Sequence, residues 1–220
     1  MDGGNGPLHR VDGPAIIRTN GSEYWYRNGI PHRDDGPAVE ELDGITAWYV
    51  NGLLHRVDGP ALVRADGSRL WYLAGELHRD GGPAVEEVNG FKKWCQHGKI
   101  HRDDGPAMEA EDGSKSWFRN DVLHRVDGPA REYPNGNKKW FCNGKLHRVG
   151  APALEEKNGY NEWWVDGRRH RDDGPAVEDP HHGNEWWVDD KQVSEKEFEK
   201  VCRLKRLSEM EIDAPEKVAF

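Results

Sequence analysis

Long hydrophobic runs are missing from this 220-residue chain. No stretch approaches the roughly 18 apolar residues that a membrane-spanning helix needs, and the opening MDGGNGPLHR lacks the apolar core of a signal peptide. A membrane protein is not expected. Cysteine is limited to Cys95, Cys142 and Cys202, an odd number without a close pair. That excludes a disulfide framework and points to free thiols in a reducing compartment, so the expected location is cytoplasmic. Positive charge is in deficit: 31 Lys and Arg stand against 40 Asp and Glu, and the net charge is −9. Residues 191–220 are balanced, so the acidic excess lies before them. Such a surface opposes non-specific nucleic-acid binding, which relies on Lys and Arg neutralising phosphates. Aliphatic residues are scarce as well, with Leu, Ile, Val and Phe making up 40 of 220 positions, a share usually met in disordered chains.

Tryptophan reverses that last inference. There are ten, and eight keep a step of 23 residues: Trp25, Trp48, Trp71, Trp94, Trp117, Trp140, Trp163 and Trp186. Each can bury roughly 150–250 Å², which supplies the apolar area the aliphatics do not. The dipeptide His-Arg keeps the same step, from His9, His32, His55 and His78 to His101, His124, His147 and His170. A period this strict means one supersecondary unit copied eight times, each copy touching mainly its neighbours.

The first unit reads His-Arg-x-Asp-Gly-Pro-Ala, a short run, Asn20-Gly21, a run with Trp25 and Tyr26, then Asn28-Gly29. Asn-Gly and Asp-Gly suit a two-residue type I′ hairpin turn, so about two antiparallel strands per unit are expected. A parallel β-solenoid with one coil per repeat is the competing architecture. With Asn20 and Gly21 as the loop, Ile16 falls opposite Trp25, Ile17 opposite Tyr24 and Ala15 opposite Tyr26. In other copies Glu86 then faces Lys93, Glu87 faces Lys92 and Glu132 faces Lys139, opposite charges that suit cross-strand pairing. The residues after each Trp (Tyr26, Tyr49, Tyr72, Cys95, Phe118, Phe141, Trp164 and Trp187) form a second aromatic column, with the repeated Ala leaving room for it. Asp-Gly-Pro reads as a tight connection in which Asp bonds the turn backbone, Gly takes positive φ and Pro fixes φ on strand entry.

The expected fold is thus an all-β repeat protein, eight hairpin units over residues 1–193 in an elongated, twisted antiparallel ribbon. Val193 stands where a ninth His would be, and Ser194-Glu195-Lys196-Glu197 is a capping box. Phe198, Val201, Cys202, Leu204 and Leu207 approximate a helical stripe, predicting a capping helix over 194–210 and a flexible tail over 211–220.

Gly144-Lys145-Leu146-His147, followed by a strand, Asn158-Gly159 and an aromatic strand, resembles the MORN repeat and its bacterial variant over roughly residues 7–193. This chain has His-Arg-x-Asp-Gly-Pro-Ala where that family has His-Gly-x-Gly, and Trp-Tyr where it has Tyr-x-Gly. It is most similar to His-Arg-x-Asp-Gly-Pro-Ala repeat proteins of phages, large viruses, and some bacteria and protists. The resemblance implies a β-hairpin ribbon serving as scaffold, as oligomerisation surface or, in some eukaryotic members, as lipid-headgroup binder. Its viral side implies a phage-encoded inhibitor that sequesters a host factor in the host cytoplasm.

Eight His-Arg-x-Asp copies invite a metal or catalytic reading. Equivalent residues two strands apart lie about 9–10 Å apart, however, whereas zinc needs ligands about 2.0–2.1 Å from one ion. Gly81 and Gly150 also replace the Asp in two copies. An active site is a unique constellation in a pocket, and no Ser elbow, phosphate loop or Cys-His pairing stands out. His97, His181 and His182 read as solvated turn residues. No enzyme activity, cofactor or metal is expected.

Uneven decoration of the frame is more informative. Glu40, Glu41, Glu86, Glu87, Glu109, Glu111, Glu132, Glu155, Glu156, Glu178 and Asp179 form an acidic rail. It is either a solubilising surface or a docking face for a basic protein partner. A second candidate contact face is apolar: Ile17, Tyr24, Tyr26, Tyr49, Val63, Leu70 and Tyr72, fit for a protein partner or for self-association. A small-molecule sponge built from aromatics and the repeated Arg, and a lipid-headgroup binder opposed by the −9 charge, are the remaining classes.

Overall fold

The computed structural model describes residues 6–212, and the chain divides into two compact units, Met1–Val122 and Leu123–Phe220. It is an all-β repeat protein with one C-terminal helix. Every strand pair within the units is antiparallel, which excludes the solenoid.

Each repeat holds two hairpins of very short strands, where the sequence suggested two strands. In the first repeat Ile16–Ile17 pairs with Glu23–Tyr24, then Tyr26–Arg27 pairs with Ile30–Pro31. The first hairpins of successive repeats zip together, Glu23–Tyr24 pairing onward to Val39–Glu40. In the N-terminal unit this builds ten strands from Ile16–Ile17 to Lys115–Ser116; in the C-terminal unit it builds five from Arg131–Glu132 to Val177–Glu178. The second hairpins remain separate two-stranded pieces.

The register differs by one residue from the expected one. Gly21 N–H donates to Arg18 C=O at 2.9 Å, Arg18 N–H donates to Ser22 C=O at 2.8 Å, and Gly21 has φ +88°. This is a three-residue loop, Thr19-Asn20-Gly21, closing a type I turn with a left-handed glycine bulge, where the sequence suggested a two-residue I′ turn. Because side chains alternate, a slip of one reassigns every partner. Ile16 faces Tyr24, Ile17 faces Glu23, Glu86 faces Lys92 and Glu132 faces Lys138. The repeated tryptophans from Trp25 to Trp163 leave the strand pairs and bridge the two hairpins through their backbone, whereas Trp186 pairs with Val193. Trp25 N–H donates to Ala38 C=O at 2.8 Å, and Trp25 C=O accepts from His32 N–H at 3.1 Å. The repeated alanine therefore does not lie across from Tyr26. Ala38, Ala61, Ala84, Ala107, Ala130, Ala153 and Ala176 are fully buried at this bridge, which leaves a longer side chain no space.

One face of the N-terminal sheet carries Ile16, Tyr24, Val39, Ala47, Leu62, Leu70 and Val85, with Tyr24, Ala47, Leu70 and Val85 buried. In the C-terminal unit the same column holds Arg131, Lys139 and Glu162 beside Leu154 and Val177. Glu162 is buried yet satisfied. It accepts from Tyr160 Oη, Trp164 Nε1 and, at 3.0 Å, Arg169 Nη2. Desolvation, and after it the Glu162 carboxylate, push the Tyr160 phenol far above its usual range.

The helix runs from Glu195 to Ile212, so it continues beyond its expected end at 210; residues 213–220 of the expected tail lie outside the described residues. Its capping box is formed: Glu197 N–H donates to Ser194 Oγ at 3.3 Å, and Ser194 N–H donates to Glu197 Oε2 at 2.8 Å. The helix packs on Trp186–Val188. Phe198 is its buried anchor, whereas Leu204 and Leu207 are exposed, so the stripe reaches its neighbour only in the first turns.

Candidate protein-binding loops

The eight His-Arg-x-Asp-Gly-Pro-Ala segments are referred to as loops 1 to 8. Each is organised around its arginine. In loop 2 the Arg33 guanidinium lies over Trp25, 4.0 Å from the ring centre. Its Nε donates to Asp35 at 3.0 Å, and its Nη1 donates both to Pro37 C=O at 3.1 Å and to Glu40 at 2.8 Å. Stacking on the ring and a fork of donors suit guanidinium and would not suit ammonium. The same stack recurs at Arg56 on Trp48, Arg79 on Trp71, Arg102 on Trp94, Arg148 on Trp140 and Arg171 on Trp163, at 3.7–4.2 Å.

This corrects the expected chemistry of Asp-Gly-Pro. The aspartate bonds the guanidinium, and the following glycine does not take positive φ. A Cβ at Gly36 would sit 2.6 Å from the Arg33 guanidinium carbon, so a side chain there would have to displace the guanidinium. Where the Asp is missing, Gly81 and Gly150 take its place with φ +71° and +73°.

The histidine ties each loop to the second hairpin turn of its own repeat. Nδ1 of His32 accepts the backbone N–H of Asn51 at 3.0 Å, and all eight histidines repeat the bond, to Asn28, Ala74, His97, Asn120, Asn143, Asp166 and Asp189 in the other copies. Each donor residue has φ between 47° and 54°, the left-handed end of the second hairpin turn. An imidazole accepting at Nδ1 carries its proton on Nε2. Where x is Asp, that Nε2 points at it: His32 to Asp34 at 2.9 Å, His101 to Asp103 at 3.3 Å and His170 to Asp172 at 3.2 Å.

The acidic rail is brought together in part, and much of its charge is offset. Glu40, Glu86, Glu132, Glu155 and Glu178 pair with Arg33, Arg79, Arg125, Arg148 and Arg171 of the loops. Across strands, Glu86 lies between Arg69 and Lys92, and Glu109 between Lys92 and Lys115. Glu41 accepts from Tyr24 Oη, Glu87 from Arg64, and Glu156 from Asn158. Asp179 accepts the backbone N–H groups of His181 and His182 and faces the His182 ring, and both histidines are exposed turn residues, as expected. Glu111 is exposed at a turn.

The apolar candidate does not form one face. Ile17 and Val63 point opposite to their strand neighbours Ile16 and Leu62, which pair with Tyr24 and Leu70. Tyr24 and Leu70 are buried, Ile17 is exposed, and Tyr26, Tyr49 and Tyr72 are half-buried against Pro31, Leu54 and Leu77.

Sequence reasoning passed over the carboxylates that do face solvent. Asp12, Asp35, Asp58, Asp104, Asp127 and Asp173 have side chains 83–90% exposed, each meeting its arginine through one oxygen. Asp34, Asp80, Asp103 and Asp172 at the x position are 67–89% exposed. In the other loops x is Val11, Val57, Val126 or Val149, all 73–87% exposed. The Asp-Asp pairs at Asp34-Asp35, Asp103-Asp104 and Asp172-Asp173 were the available signal. Arginine hydrogen bonds hold Asp58, Asp104 and Asp127 below the usual carboxylate range, so they stay ionised.

No protein-family model and no curated protein matches the chain. Among the described residues no group of His, Cys, Asp and Glu could hold a metal, and no helix is long and apolar enough to cross a membrane. Cys95 is buried, Cys142 and Cys202 are half-buried, and all three are unpaired thiols.

Proposed function

We propose that this chain is a non-enzymatic, MORN-like binding scaffold whose acidic loops receive a basic protein partner. One observation carries the reading: the loop aspartates stand 83–90% exposed on an arginine-stapled frame, whereas the glutamates behind them are engaged in ion pairs. Arg33, Arg125 and Arg171 each touch two carboxylates with a single positive charge, so their loops keep a negative surplus. Exposed valines among these aspartates add apolar contact, the mixture expected of a protein interface. The frame also holds the carboxylates in place before any partner arrives, which limits the ordering cost of association.

The test is titration of the chain with a lysine-rich helical peptide, followed by its tryptophan fluorescence at low and high salt. Binding that weakens with salt and disappears when Asp12, Asp35, Asp58, Asp104, Asp127 and Asp173 become Asn together with Asp80 and Asp103 supports the reading. Undiminished binding by that variant, or loss only when Glu87 and Glu156 become Gln, overturns it.

A further inference from the structure

Four loops carry Asp at the x position, and in each the aspartate lies beside Nε2 of the loop histidine. Two of these dyads hold a cation from the chain itself. Asp34 receives Arg27 Nη2 at 2.7 Å, and Asp172 receives Lys205 Nζ at 2.8 Å. The latter is a lysine on a helix seated against the loop, with Cys202 Sγ on Asp172 C=O at 3.3 Å and Phe198 buried beneath. The chain thus shows what such a dyad accepts and what element can deliver it.

The other two dyads, His78–Asp80 and His101–Asp103, lie in adjacent loops of the N-terminal unit. Their sequence withholds the cation: the position of Arg27 is Leu73 in one repeat and Gln96 in the next. Among the described residues the contact of Asp80 is with His78 Nε2 at 3.6 Å, and its side chain is 89% exposed. It lines a cleft of about 520 Å³ between loops 3 and 4, walled by Trp71, Leu73, Val57 and Arg56. His78 Nδ1 accepts the N–H of His97, which leaves Nε2 facing Asp80. Leu73 and Val57 suit the aliphatic stem of a lysine whose ammonium reaches Asp80.

We infer that the His78–Asp80 and His101–Asp103 dyads are a paired lysine-binding site for a basic helix of a partner protein. The inference rests on the acidic-loop reading and assigns it a place and a ligand spacing. Equivalent positions in successive repeats are two strand spacings apart, about 9.6 Å. On a helix that distance corresponds to lysines seven residues apart, about 10.5 Å at 1.5 Å per residue.

The probe is an alanine-based helical peptide of about 14 residues with two lysines seven apart, compared with the peptide in which they are four apart. Binding is read by backbone amide shifts of the full chain. The matched peptide should shift the amides of loops 4 and 5, and Asp80→Asn with Asp103→Asn should weaken it about fivefold per site, the upper end for an exposed ion pair. Leu73→Arg, which copies the Arg27 arrangement and fills the first dyad, should weaken it as much without unfolding the repeat. Equal binding by the Asn variants, no shift with either peptide, or no preference for the seven-residue spacing would overturn the paired site. Binding that ignores Asp80 and Asp103 but is lost when Asp12, Asp58 and Asp127 become Asn would leave the acidic-loop reading standing while overturning this one.

Discussion

The guanidinium carbon of Arg33 lies 4.0 Å from the centre of the Trp25 ring, and its other face closes against Gly36, where a Cβ would come within 2.6 Å. Gly36→Ala should therefore force the arginine off its partners and cost about 1–3 kcal/mol, the usual range for overpacking. Loop 7 suggests the compensation, for there Ala151 stands in the glycine position and Gly150 replaces the aspartate, while Arg148 keeps Pro152 C=O at 3.0 Å. Adding Asp35→Gly to Gly36→Ala should restore most of the lost stability. Urea midpoints of both variants check this, and a double variant weaker than Gly36→Ala alone would refute it.

Ala74 has φ +51° in the turn position where the other repeats place Asn, Asp or His. An alanine held in left-handed backbone costs about 1 kcal/mol, so Ala74→Gly is expected to raise stability by up to that amount. His55→Ala should act in reverse on the same residue, since it removes the acceptor 3.1 Å from the Ala74 N–H. A loss of about 1 kcal/mol is expected. Faster hydrogen exchange at the Ala74 amide, confined to that repeat, would locate it.

Asp58, Asp104 and Asp127 have carboxyls lowered mainly by hydrogen bonds from Arg56, Arg102 and Arg125. A depressed folded value means their contribution is complete above the unfolded value, about 3.9, and is lost as pH falls through the folded one. The denaturation midpoint should accordingly hold from neutral pH to about 5 and fall below about 4. Asn at the three positions should flatten that fall; an unchanged acid limb would count against the loops as its source.

Ser194 closes the helix N-terminus with Glu197, whose carboxyl the Ser194 backbone N–H holds below its usual range. Ser194→Ala should cost the helix about 1 kcal/mol. The loss should appear as a reduced helical circular-dichroism signal, with the β-repeat transition little changed.

Much of the fold was legible because a repeat states its own period, and because Ser194 and Glu197 form a capping box from residues three apart. The register was not legible, since Asn20-Gly21 serves equally as both residues of a I′ turn and as the last two of a three-residue loop. What separates them is whether Thr19 pairs, and Thr19 carries no local sign of its choice. Opposite charges misled at Glu86 and Lys93 because Lys92 stands beside Lys93, so a shift of one still gives a favourable pair.

The candidate site was legible as composition but not as placement. Counting glutamates located an acidic surface, but whether Glu86 is available depends on Arg79, seven residues away and brought back by the loop to 2.7 Å. The same holds for Asp80, whose exposure follows from Leu73 standing where Arg27 stands two repeats earlier.

By itself the sequence determined the unit, its eightfold copying, the antiparallel hairpins and the helix that follows, because period, turn residues and capping are local properties. Only the tertiary structure decided the register, the tryptophan bridge, the arginine staple and which carboxylates remain available to a partner. Those depend on contacts between groups that are separate along the chain, where a shift of one residue or a swap of Arg for Leu changes the partner without changing the pattern.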